Sequence, residues 1–235
     1  MIVRLGVIGD VHAECERLEQ AISYLKTQMV DAIVCTGDIV DGSGCPDTSA
    51  RLLKDHDIHT VRGNHDRWLL QDKARHVPNA HGKDALHGDT LSYLAELPAT
   101  IELDTIAGRL LLCHGVANND LGKVWPGTER LEIERSRELD TLIASGKHHY
   151  VINGHMHFRT IIHFETLTLI NAGTLKGVHW PGFSLIDFES LEVTAYEFSD
   201  DSIALSRKHP LHADHYERFP DTQSFSGNWE PVRLF

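Results

Sequence analysis

Three short apolar runs near the N-terminus constrain the fold more than any other feature of the chain. They are Ile2-Val3-Arg4-Leu5-Gly6-Val7-Ile8, Ala32-Ile33-Val34-Cys35-Thr36 and His59-Thr60-Val61. The first two show little alternation of apolar and polar residues, as expected of strands buried on both faces. Between them, Glu14 to Met29 places Leu18, Ala21, Ile22 and Leu25 at helical spacing, and Thr48–Asp55 predicts a second helix. Strand–helix–strand–helix–strand is the pattern of a parallel βαβ sheet. Each run stops at a glycine followed by polar residues: Gly9-Asp10-Val11-His12, Gly37-Asp38-Ile39-Val40-Asp41-Gly42 and Gly63-Asn64-His65-Asp66. Taken singly, each cluster reads as an ordinary turn, since Gly, Asn and Asp dominate turns for local reasons. Taken together they lie where parallel sheets bind ligands, at the carboxyl ends of the strands.

Beyond residue 66 the pattern weakens. Trp68-Leu69-Leu70 could open a helix, and the rest of 67–88 reads as an irregular surface segment near the site. Asp89–Leu97 predicts a short helix stopped by Pro98, and Thr100–Ile106 with Arg109–Cys113 a hairpin ending at His114-Gly115. A polar loop then leads to a charged helix at about Thr128–Ser145, with Glu129–Glu138 as its solvated face and Gly146 as its stop. Tyr150-Val151-Ile152 ends at Asn153-Gly154-His155-Met156-His157, and segments 159–164, 166–170, 183–188 and 191–198 read as consecutive antiparallel strands. The expected architecture is α/β: two packed sheets flanked by helices, four layers in the order αββα. The main domain is expected over 1–205, with 206–235 a tail whose aromatic residues pack it on the domain surface.

The chain has 235 residues, enough for one large domain, and a net charge of −12, which counts against long nucleic acid as a partner. Its four cysteines form no Cys-x-x-Cys pair, which suits a reducing cytoplasm. No run approaches the roughly 18 apolar residues of a membrane helix, and none reads as a signal peptide. Histidine is abundant at 17 residues. His56, His59, His163, His209, His212 and His215 read as surface or packing residues, and His148-His149 as a solvated loop. His76, His81, His87 and His179 lie in loops that could border a pocket. Arg67, Asn118, Asn119 and Trp125 are candidate substrate contacts, and Asp41 is either a support for a ligand or a turn residue.

In Asp10-Val11-His12 and in His155-Met156-His157, residues two apart on an extended backbone project to the same side, with Met156 facing away. With Asp38, Asn64 and His114 they make a set of oxygen and nitrogen donors without thiolate. That set suits manganese, iron or zinc in a hydrolytic centre. Seven donors exceed the needs of one catalytic ion and suit two, about 3.5–4 Å apart, sharing a carboxylate.

The five blocks Asp10-x-His12, Gly37-Asp38-x-x-Asp41, Gly63-Asn64-His65-Asp66, His114-Gly115 and Gly154-His155-x-His157 resemble, in order, those of the calcineurin-like metallophosphoesterase superfamily. The resemblance implies a first metal held by Asp10, His12, Asp38 and His157, and a second held by Asp38, Asn64, His114 and His155, with Asp38 bridging. It implies that His65 is the catalytic acid rather than a ligand, with Asp66 orienting it. The implied reaction is attack of metal-bound hydroxide on a small phosphodiester or phosphomonoester, with two divalent transition metals, manganese first among them. Asp41-Gly42-Ser43 and Asp66 depart from the Asp-Arg-Gly and Glu of the protein phosphatases. The chain is therefore closer to the small prokaryotic phosphodiesterase-type members. A nucleotide or nucleic-acid phosphohydrolase and a non-catalytic protein-binding scaffold are the alternatives.

Overall fold

The computed structural model describes residues 1–199, 202–212 and 216–234. His215 and Phe235, read above as a surface histidine and a tail aromatic, lie outside the described residues. Each buried strand divides its side chains between two cores. Along β1 (Arg4–Ile8), Leu5 and Val7 pack with Val34, Leu110 and Leu112 in the core between the sheets. Ile8 packs instead with Leu18, Ile22 and Leu25 of α1 (Cys15–Thr27). Such a residue has no solvent face, which is why the run lacks alternation. Burying each of these aliphatic side chains contributes roughly 1.5–3 kcal/mol.

The first sheet continues through β2 (Ala32–Cys35), which is followed by α2 (Pro46–Asp55), and β3 (His59–Thr60). β1, β2 and β3 are parallel. A helix, α3 (Asn64–Leu70), follows β3 directly, and α4 (Gly88–Glu96) precedes the hairpin of β4 (Thr100–Thr105) and β5 (Gly108–Cys113). Then come α5 (Arg137–Ser145), β6 (Tyr150–Asn153), β7 (Arg159–His163), β8 (Thr168–Ala172), β9 (Gly182–Asp187), β10 (Glu192–Ser199), β11 (Ser202–Pro210) and β12 (Val232–Arg233). The two six-stranded sheets have orders β11-β10-β9-β1-β2-β3 and β12-β7-β8-β6-β5-β4. Both mix parallel and antiparallel neighbours. Helices α1, α2 and α4 supply residues to the core outside the first sheet, and α5 to the core outside the second. The four expected layers are present.

Four expectations need correction. Trp68-Leu69-Leu70 closes a helix rather than opening one, because α3 begins at Asn64 with Gly63 as its cap. The charged helix is shorter than expected. Residues 128–136 form a turn closed by Thr128 and Leu131 and a bridge between Trp125 and Glu134, and α5 starts where the Ser136 side chain caps Leu139 N. The last strands do not form one consecutive set, for β8 and β9 lie in different sheets. Position 205 falls inside β11, which pairs with β10 as far as Pro210. The segment beyond places Phe219, Phe225 and Trp229 in the core outside the second sheet. Among the described residues, no helix is long and apolar enough to cross a membrane.

Candidate metal centre

The loops that follow β1, β2, β5 and β6 and the start of α3 converge on one point. The β1 and β2 loops are laced together by His12 N to Asp38 O at 2.7 Å and Ala13 N to Ile39 O at 2.8 Å. His12, Asp38, His155 and His157 all have left-handed backbone, with φ of 47°, 47°, 64° and 59°. Non-glycine residues adopt this region rarely, and strained positions of this kind cluster at functional sites. The same-side argument from extended backbone therefore does not describe these pairs; turns bring the side chains in. Met156 does face away, packing against the core outside the second sheet. Gly63 and Gly154 permit the close approach, since a Cβ on either would collide with the Asp38 or Asp10 carboxylate.

Two groups of donor atoms result. In the first, His12 Nε2 lies 3.0 Å from His157 Nε2, and His157 Nε2 lies 3.3 Å from Asp10 Oδ2. In the second, Asn64 Oδ1 lies 2.9 Å from His114 Nε2 and 2.8 Å from His155 Nδ1. Asp38 Oδ2 faces both, 3.8 Å from His12 Nε2 and 3.4 Å from His114 Nε2. All seven residues proposed from the sequence as ligands are thus brought together. Thr36, not anticipated, supports both groups. Its hydroxyl donates to Asp10 Oδ1 at 2.7 Å, and its carbonyl accepts from His114 Nδ1 at 2.7 Å.

The tautomers make this donor set a fit for cations. His12 Nδ1 donates to the Asp41 carbonyl at 3.0 Å, and burial pushes its pKa down to about 4 against the pull of Asp38 and Asp10. The ring is therefore neutral at neutral pH, and its bare Nε2 faces the Asp38 carboxylate oxygen 3.8 Å away. Two acceptors that face each other are brought into register by a cation between them. Among the described residues, three groups have ligand atoms all within 4.8 Å of one another: Asp10, His12 and His157; Asp10, Asp38 and His114; and His12, Asp38 and His65.

His65 has a different partner. Its Nδ1 lies 2.7 Å from Asp41 Oδ2, not from Asp66. Asp66 accepts instead from Ile39 N, Val40 N and Gly63 N, so it ties the β2 loop to the start of α3 and does not orient His65. The Asp41 carboxylate also accepts two bonds from Arg75, both at 2.9 Å, and one from His81 N at 2.9 Å. Burial raises the Asp41 pKa, but His65 and Arg75 outweigh it and hold the carboxyl below its usual range. The same bond raises His65 against its own burial. Arg75 and His81 both come from the irregular segment after α3, and no local signal marks Arg75.

The remaining candidates separate. Arg67 pairs bidentately with Asp120, tying α3 to the loop after β5, and Asn119 binds Glu138, while Asn118 is exposed. His179 places its ring 5.1 Å from that of His157. His76 and His87 are exposed, and His148, expected in a solvated loop, is buried beside Glu102.

The calcineurin-like phosphoesterase superfamily domain matches residues 3–190. A curated relative, an uncharacterized protein of Methanocaldococcus jannaschii, is 27% identical over 128 residues, 52% of either chain. The chain thus spans about half the length of that relative. Among solved structures, a metallophosphoesterase from Sphaerobacter thermophilus superposes with a TM-score of 0.62 at 19% identity, over 85% of this chain and 89% of that one. An archaeal phosphodiesterase superposes with a TM-score of 0.55 at 18% identity, over 83% and 99%. At such identities the superpositions show a shared fold.

Proposed function

The chain belongs to the calcineurin-like phosphoesterase superfamily, and from that premise we propose that it hydrolyses small phosphodiesters or phosphomonoesters at a dinuclear metal centre. The observation that carries this reading is Asp38 Oδ2, one oxygen facing a histidine of each donor group. Asp10, His12, Asp38 and His157 would hold one divalent ion, and Asp38, Asn64, His114 and His155 the other, with manganese favoured over iron or zinc. Bound there, two dications would lower the pKa of a water molecule and offset charge on the phosphoryl oxygens. The chain's own groups do the rest. His65, held by Asp41, donates a proton to the leaving oxygen as the phosphorus–oxygen ester bond breaks, a role worth about 10²- to 10⁴-fold. The fold shared with a protein described as an archaeal phosphodiesterase is in keeping with a phosphoester substrate. The acidic balance supports a small substrate over long nucleic acid, and four free cysteines suit a cytoplasmic setting.

Hydrolysis of bis(p-nitrophenyl) phosphate should fall to background after chelation, return with Mn²⁺, and be lost with metal binding in Asp38→Asn. Full activity in chelated protein would refute the reading.

A further inference from the structure

Thr36 stands between the end of β2 and Gly37-Asp38, fully buried, and its backbone N–H donates to the Ile8 carbonyl of β1 at 3.2 Å. From there it reaches both donor groups with different atoms. The hydroxyl donates to Asp10 Oδ1 at 2.7 Å, and the carbonyl accepts from His114 Nδ1 at 2.7 Å. The two arms end close together, with His114 Nδ1 3.7 Å from Asp10 Oδ1. A Cβ on Gly154 would collide with both atoms of the hydroxyl bond, so glycine at that position lets the chain close over it.

The hydroxyl arm decides which oxygen Asp10 offers. A carboxylate without partners turns about its last bond and presents either oxygen or both. Here Thr36 takes Oδ1, and Oδ2, which accepts from His155 N at 2.8 Å, is the oxygen 3.3 Å from His157 Nε2. The carbonyl arm does the matching job at His114, where an acceptor behind Nδ1 holds Nε2 towards Asn64 and Asp38. The two arms differ in what a substitution does to them. Thr36→Val removes the hydroxyl, keeps the branched shape and leaves the carbonyl in place.

Resting on the dinuclear reading, we propose that Thr36 is a positioning residue whose side chain serves one ion alone. Its hydroxyl aims Asp10 at the ion of Asp10, His12, Asp38 and His157. Its carbonyl supports His114 and the other ion whichever side chain stands at 36. Loss of the hydroxyl leaves a buried carboxylate oxygen without its donor and free to turn, and the first ion is weakened while the second is not.

Calorimetric titration of the metal-free protein with Mn²⁺ tests this in the wild type, Thr36→Val and Thr36→Ser. The wild type should take up two ions. Thr36→Val should bind one with wild-type affinity and the other about 10- to 100-fold more weakly, the usual worth of a group that orients a ligand from behind. Thr36→Ser, which returns the hydroxyl, should restore both. The site affected is read by double variants at a Mn²⁺ concentration where Thr36→Val holds one ion: adding His12→Ala should leave that ion in place, and adding His155→Ala should remove it. Two ions bound by Thr36→Val as in the wild type, equal weakening of both, or no rescue by Thr36→Ser overturns the proposal. A wild type with a single ion would instead refute the dinuclear reading, while the response of that ion to Thr36→Val would still decide whether the hydroxyl serves metal binding.

Discussion

His12 and His65 sit side by side, rings 5.0 Å apart, yet their second nitrogens meet opposite partners. His12 Nδ1 donates to a backbone carbonyl, and His114 does the same. A carbonyl fixes the tautomer without adding a full charge. At His12 burial keeps the other nitrogen bare and able to ligate, whereas at His114 the Asp38 and Asp10 carboxylates outweigh burial and raise the ring's pKa. His65 Nδ1 meets the Asp41 carboxylate, which favours the protonated ring. One residue type thus takes two chemical roles within one site. The choice is made by the atom behind the ring rather than by its distance from the centre. His163 adds a third environment: burial, reinforced by Arg218, His212 and His209, pushes it down to about 4, and its Nε2 has no partner among the described residues.

The largest effect should come from removing the acid. His65→Ala should lower turnover by about 10²- to 10⁴-fold, measured on a diester with a poor leaving group. A loss much smaller than that would break the contrast between His65 and His12. Arg75→Ala leaves the dyad in place but releases Asp41 from two of its donors. Roughly a tenfold fall in kcat with KM unchanged is expected, as for other groups that orient a reacting residue through a neighbour. Free guanidinium should restore part of the rate, whereas a purely structural loss would not respond to it. A further effect, outside the site, concerns stability rather than turnover. Because His163 binds a proton less readily folded than unfolded, its contribution is complete above about pH 6.5 and is lost as pH falls towards 4. The loss amounts to roughly 3 kcal/mol. Denaturant unfolding of His163→Phe should show a correspondingly shallower decline over that window, with the two proteins' pH profiles parallel above it.

The ligand set was legible because each member stands at or just past a strand end, where a local apolar run and the glycine after it mark the position. Asp10, Asp38 and His114 needed no long-range information. The support of His65 did. Asp66 is its neighbour in sequence, but Asp41 reaches it from 24 residues away, and Arg75 reaches Asp41 from 34 residues away on a segment without periodicity. Turn geometry was hidden for a related reason: the left-handed backbone at His12 and Asp38 lies where backbone bonds between distant segments interlace the β1 and β2 loops. The overlong helix before α5 came from reading Glu129–Glu138 as a solvated helix face, whereas Thr128, Trp125 and Ser136 fix that stretch as turn, bridge and cap.

His65 lies within ligating reach of His12 and Asp38, so its assignment as acid rather than ligand is the claim most open to direct test. The measurement is metal content by mass spectrometry after loading with excess Mn²⁺ and desalting, for the wild type, His65→Ala and His12→Ala. Two ions per chain in the wild type and in His65→Ala, with a clear deficit in His12→Ala, is the predicted result. A deficit in His65→Ala equal to that in His12→Ala, or a wild type holding no more than one ion, would contradict it.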